Sequence, residues 1–141
     1  MSKTHSGIYD VINKEKYAGT TLPIFRSSWE LVFMRFCDNN PHIEKWASEP
    51  LKIPYFNPIE NKYKPYKPDF LVVYNDKNGS RHAELVEIKP AKETHLSEAK
   101  SKRDKLRLAV NAAKWMACNE YCKAHGMTFR VITESDLFNN H

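Results

Sequence analysis

Apolar positions along the chain change period from block to block. In "SWELVFMRFCD" (28–38), Trp29, Val32, Phe33 and Phe36 recur every three or four residues, which marks one face of a helix. Ser27 or Ser28 can cap its start, and Pro41 lies beyond its end. "WASEPLKIPYF" (46–56) reads as extended; its two prolines exclude a central helix and fit an edge or irregular strand. Residues 57–66 read as a Pro/Asn/Lys loop. Residues 69–74 and 82–89 are dense in Val, Leu, Ile and aromatics, and "NDKNG" between them is a turn signal, so they predict an antiparallel hairpin. A second helical pattern fills 97–124 through Leu106, Ala109, Val110, Ala113, Met116, Ala117 and Tyr121, with Gly126 to stop it. "MTFRVITE" (127–134) is a last strand. Residues 1–22 show no period and read as an N-terminal arm, leaving 23–141 as a single domain. The order α-β-β-β-α-β predicts an α/β fold: a mixed four-stranded sheet flanked by helices.

Composition narrows the class without fixing it. At 141 residues, 41% hydrophobic and 28% charged, the chain has the balance of one globular domain. No apolar run approaches the ~20 residues that cross a bilayer. The N-terminus lacks the apolar core of a signal peptide. Cys37, Cys118 and Cys122 are an odd count without CxxC spacing, as expected of reduced thiols in a cytoplasmic protein. Cys118 and Cys122 lie four apart but have no matching pair elsewhere, which argues against zinc. His42, His82, His95 and His125 fall in loops, turns or ends, with no Ser/Cys motif to join.

The net charge of +5 is modest, and its distribution says more. Between Lys89 and Arg107 seven basic residues, among them Lys92, Lys100, Lys102 and Arg103, face three acids. Between Lys52 and Lys67 four lysines face Glu60 alone and alternate with Tyr55, Tyr63 and Tyr66. Such segments are either a solvated face or a surface for phosphates, with tyrosines to pack on sugar or base.

The hairpin carries the chemistry. Centred near Asn78, its paired positions sum to about 156, so Asp69 falls opposite Glu87. Glu87 and Lys89 are two apart and share a face, which Asp69 joins from across the pair. Leu71, Val73 and Leu85 continue that face; Phe70, Val72, Val86 and Ile88 cover the other. Both faces are apolar in the middle, so both should be covered, and the polar triplet sits where the sheet opens. Adjacent carboxylates repel when ionised. Lys89 offsets one charge; a hard divalent ion such as Mg²⁺ or Mn²⁺ offsets two, with the Ile88 carbonyl as an extra ligand. Such a site can hydrolyse phosphodiesters, with Lys89 orienting water or neutralising the phosphate. The bland alternative is that the acids end strands in solvent and Lys89 pairs with one of them.

With these residues in view, Pro68-Asp69 and Glu87-Ile88-Lys89 resemble the PD-(D/E)xK nuclease motif. "RSSWELVFMRFCD", "WASEPLKIPYFNPIENK", "YKPDF", "VEIKP", "AVNAAKW" and "ITESDL" together resemble the head-completion nucleases of large contractile-tailed bacteriophages. They are similar, more distantly, to the N-terminal endonuclease domain of the Tn7-type transposase. The resemblance spans roughly residues 24–137. It implies a restriction-endonuclease-like core and a helix-borne glutamate, Glu30, completing a metal site with Asp69 and Glu87. It also implies action on DNA in the infected host's cytoplasm, finishing a filled head before tail attachment, with head, portal or neck proteins as partners. "AKETHLSEAKSKRDK" does not match closely.

Other residues keep two readings. Ser27-Ser28-Trp29-Glu30 fits a capping box, with Glu30 reaching back to the Ser27 amide, so Glu30 is either cap or metal ligand. Glu49 is the backup acid. Arg26 is a phosphate contact near the helix N-terminus or an exposed arginine. Lys67 stands before the PD pair at the sheet opening, a further phosphate contact. Trp29, Trp46 and Trp115 read as core or platform residues rather than base stackers. Three functions remain: a metal-dependent DNA nuclease, a DNA-binding virion connector with an idle site, and a junction or transposition endonuclease on the same scaffold.

Overall fold

The computed structural model describes residues 6–91 and 101–139. Its centre is a four-stranded sheet of β3 (Ile43–Ser48), β6 (Phe70–Asn75), β7 (Arg81–Ile88) and β8 (Thr128–Ile132), in the order β3-β6-β7-β8. The β3–β6 and β6–β7 pairs are antiparallel, and β8 is parallel to β7. Only a crossover can join parallel neighbours. Helix α2 (Lys102–Ala124) lies within it and runs back from the end of β7 to the start of β8. This is the mixed sheet of a restriction-endonuclease-like core.

The two faces of the sheet bury different residues, as period-two alternation requires. Phe70, Val72, Val86 and Ile132 face α1 (Ser28–Asn39) and pack with Phe33, Met34, Cys37 and Trp46. Leu71 and Leu85 face α2 and pack with Cys118, Cys122, Ile53 and Tyr66. Helix α1 begins at Ser27, whose Oγ accepts from the Glu30 amide at 3.2 Å. The second helix begins at Ser101 and ends before Gly126, whose φ of +69° favours glycine. The β6–β7 register matches the expected hairpin: Phe70 opposes Val86 and Leu71 opposes Leu85. Its turn is fixed by Asp76, which accepts from the amides of Asn78 and Ser80, and by Gly79 at φ +81°.

Two expectations need correction. The run 46–56 is two strands in different sheets. The first is β3; the second, β4 (Ile53–Asn57), pairs with β5 (Lys62–Tyr66) inside the segment expected to be a loop. Glu49, at φ +46°, turns the chain between them. Pro54 and Pro65 oppose each other there, which a two-stranded hairpin tolerates because both its strands are edges. The last strand stops at Ile132, and a short helix, α3 (Glu134–Asn139), follows. Asp136 accepts from the Thr133 amide at 2.9 Å, the return bond of a capping box.

The N-terminal segment lies along the α1 side. β1 (Gly7–Ile8) pairs with β2 (Ile24–Phe25), and the Ala18 amide bonds the Trp46 carbonyl at the edge of β3. Fully buried Asp38, near the end of α1, accepts from the Tyr9 hydroxyl at 2.6 Å and from the amides of Ile12 and Asn13. Burial pushes the Asp38 carboxyl up, but these bonds outweigh it and hold it below the usual carboxylate range.

Candidate active site

The ends of β6 and β7 bring Asp69, Glu87 and Lys89 to one corner of the sheet. Fully buried Pro68 anchors the entry into β6. Asp69 follows it, half-buried, and its Oδ2 accepts from the Ile88 amide at 2.8 Å. Its carbonyl accepts from the Glu49 amide at 2.9 Å, which fixes the backbone on the other side. Glu87 is buried and lies within reach of Lys89, whose Nζ is 3.6 Å from Glu87 Oε2. The Lys89 amide bonds the Ile132 carbonyl at 3.0 Å, so the parallel strand β8 sets the lysine's base.

Burial, then the Glu87 charge, pushes Asp69 well above the ordinary carboxylate range; the Ile88 amide opposes the shift. Glu87 is also raised by burial, against the pull of Tyr66, Lys89 and Lys114. The pair is best described as titrating together. Half-buried Asp69 and buried Glu87 repel each other when ionised, and a hard dication would offset both charges. Among the described residues no three His, Cys, Asp or Glu side chains form a ready metal cage. Mg²⁺ commonly makes do with one or two carboxylates, filling its octahedron with water and phosphate oxygens. The residues present fit that pattern.

Glu30 divides its capabilities. Its Oε1 accepts from the Arg26 amide at 3.1 Å, one residue before the amide expected of a capping box. Burial raises its carboxyl, the Arg26 amide and guanidinium oppose this, and the charges of Glu49 and Glu87 add to the rise. Glu30 thus caps the helix while lying within electrostatic range of the acid pair. The Arg26 guanidinium contacts Glu49 at 2.6 Å, so each neutralises the other at the rim.

Two side chains the sequence did not single out for this corner complete it. The Tyr66 hydroxyl donates to Glu87 Oε1 at 2.7 Å. Lys114, from α2, sits 5.8 Å from the ring centroids of both Tyr55 and Tyr66, and its charge favours ionised Glu87. The signal for Lys114 was its place between Val110 and Cys118 in the apolar stripe of the helix, where a cation needs a reason.

Of the basic residues expected to meet DNA, Lys67 is exposed beside the acid pair's strand. Lys102 and Arg103 are exposed in the first turn of α2, roughly 17 Å along the helix from Lys114. Lys92 and Lys100 lie outside the described residues. Trp46 is fully buried, as read from the sequence, and Trp115 packs among the α2-side apolar residues.

Known proteins bear on this geometry. Residues 40–134, which contain Asp69, Glu87, Lys89 and Lys114, match the TnsA-like endonuclease N-terminal family. The chain is also 36% identical to the head completion nuclease of Enterobacteria phage T4, over 94% of this chain and 93% of that protein. That likeness extends beyond the family match to most of the chain. The chain therefore belongs to the TnsA-like endonucleases and, among them, to the head completion nucleases.

Proposed function

We propose that the chain is a divalent-metal-dependent nuclease that hydrolyses phosphodiester bonds of DNA during phage head completion. The observation that carries this is the convergence of half-buried Asp69 and buried Glu87, which repel when ionised, with Lys89 at the mouth of the β6–β7 hairpin. Asp69 and Glu87 would hold Mg²⁺ or Mn²⁺ with the Ile88 carbonyl, and Glu30 would join through a water. When bound, the ion offsets the repulsion between the carboxylates and acts as a Lewis acid toward a phosphate oxygen.

The chain's own groups supply the rest. The Ile88 amide fixes the rotamer of Asp69. The Tyr66 hydroxyl aims Glu87, and Tyr66 and Lys114 favour its ionised form against the rise that burial imposes. Lys89, held on the same face, orients the attacking water or balances charge growing on the phosphate. Lys67, Lys92, Lys100, Lys102 and Arg103 would draw in the DNA backbone, and Arg26 would join them on exchanging Glu49 for a phosphate. Near-complete coverage of the T4 relative favours head completion over transposition as the setting. The expected setting is the host cytoplasm, with capsid or neck proteins as partners and incorporation into the virion as one outcome.

The test is incubation of plasmid and linear DNA with the protein in Mg²⁺ or Mn²⁺. Cleavage that EDTA stops is expected. Glu87→Ala and Lys89→Ala should each lower the rate by about 100-fold or more while salt-sensitive DNA binding persists. Wild-type protein that binds DNA but never cuts it, with either metal, would instead make it a docking protein.

A further inference from the structure

The β4–β5 hairpin has a patterned outer face with no structural duty evident inside the domain. Its inner residues, Ile53, Tyr55, Asn57 and Tyr66, are buried. The opposing pairs that point away from them are Pro54 with Pro65 and Phe56 with Tyr63. Continuing the same register places Lys52 opposite Lys67. The outer face is therefore a ladder: a lysine rung beside Pro68-Asp69, a proline rung, then an aromatic rung. Phe56 is 43% and Tyr63 72% exposed, their rings edge-on with centroids 5.3 Å apart.

We propose that this ladder is a stacking platform for an unpaired DNA strand, so that DNA with a single-stranded end or flap is the favoured substrate of the corner described above. The proposal rests on the nuclease reading only for the fate of that strand, not for its binding. Bases inside a duplex already stack on one another, and an exposed aromatic rung reaches only bases that are unpaired. Cross-strand stabilisation is the alternative use of an aromatic pair, but the packed inner face already holds this hairpin in register.

Charge points the same way. Lys62 and Lys64 are tied to Glu60, whereas Lys52 and Lys67 have no ion-pair partner among the described residues. Among the described residues no acid competes with a phosphate for those two lysines. The hairpin that carries the platform is also tied to the acids from its other side, because Tyr66, on the inner face, bonds Glu87, and the lysine rung adjoins Pro68-Asp69 in the chain. Four residues of strand separate the lysine and aromatic rungs, about 13 Å, a span of a few nucleotides.

The experiment is fluorescence anisotropy in EDTA, which measures binding without cutting. A labelled blunt duplex is compared with the same duplex carrying a single-stranded tail. The wild type should bind the tailed DNA more tightly. Phe56→Leu/Tyr63→Leu, which keeps apolar bulk but removes both rings, should lose about 5-fold or more on the tailed DNA and little on the blunt one. Tyr63→Leu alone, at the most exposed position, repeats the test should the double variant fold poorly. Lys52→Gln/Lys67→Gln should weaken binding to both DNAs and flatten its salt dependence. Equal wild-type affinity for the two DNAs, or a ring-less variant that keeps the tail preference, overturns the platform. A protein that shows the preference but never cuts in Mg²⁺ would overturn the nuclease reading alone.

Discussion

Burial raises the carboxyls of both Asp69 and Glu87, so the folded state keeps protons that the unfolded chain has already released. Stability of the metal-free protein should therefore fall as pH rises from about 4, the unfolded value, through the raised range of the pair. Asp69→Asn keeps an oxygen to accept from Ile88 and removes the charge. We expect it to raise Tm at neutral pH and flatten the pH dependence of unfolding, while abolishing cleavage. Tyr66→Phe acts on the other partner. It removes the donor to Glu87 and should lower activity or metal affinity by about 10-fold with the fold intact, read by titrating Mn²⁺ against cleavage rate. Asp69, Glu87 and Lys89 were legible because a hairpin's period and turn fix which side chains meet. Tyr66 and Lys114 were not, since each arrives from an element whose docking angle no local pattern encodes.

Elements differ in the same way. The β6–β7 hairpin and both long helices could be read from period, turn and cap. The β4–β5 hairpin could not: four prolines between positions 50 and 65 read as interruption, and only the pairing of Pro54 with Pro65 shows why they are tolerated. Helix α3 carried a usable sign, Thr133 three residues before Asp136, hidden by the β-rich run preceding it. The N-terminal segment is held chiefly by Asp38, whose partners Tyr9, Ile12 and Asn13 are all local to that segment. Asp38→Ala would strand several donors and should cost about 3 kcal/mol or more. It should also open residues 6–25 to limited proteolysis before the sheet unfolds. Because the Asp38 carboxyl is depressed, its contribution is present above pH ~4 and lost as pH falls through its lower folded value.

For the molecule as a whole, Asp38 is shifted down while Asp69 and Glu87 are shifted up, so they pull stability in opposite directions with pH, and a cation at the acid pair would remove the second effect. Mg²⁺ or Mn²⁺ at 100 times its Kd should stabilise the wild type by about 2.7 kcal/mol in thermal melts, and leave Asp69→Asn nearly unmoved. The order of events in folding follows from chain separation. Asp69 and Glu87 are eighteen residues apart on one hairpin, whereas β7 meets β8 only after the whole of α2 has intervened. Closing the short loop is the less demanding step, so the acids are brought together before the parallel strand can join. Where both are ionised, their repulsion opposes that stage of folding. Newly made chains would reach the native state faster with the dication present, and stopped-flow refolding with and without Mn²⁺ should show it. The cleavage centre would thus double as a checkpoint on maturation, one that links the arrival of competent enzyme to the ionic conditions in which it works.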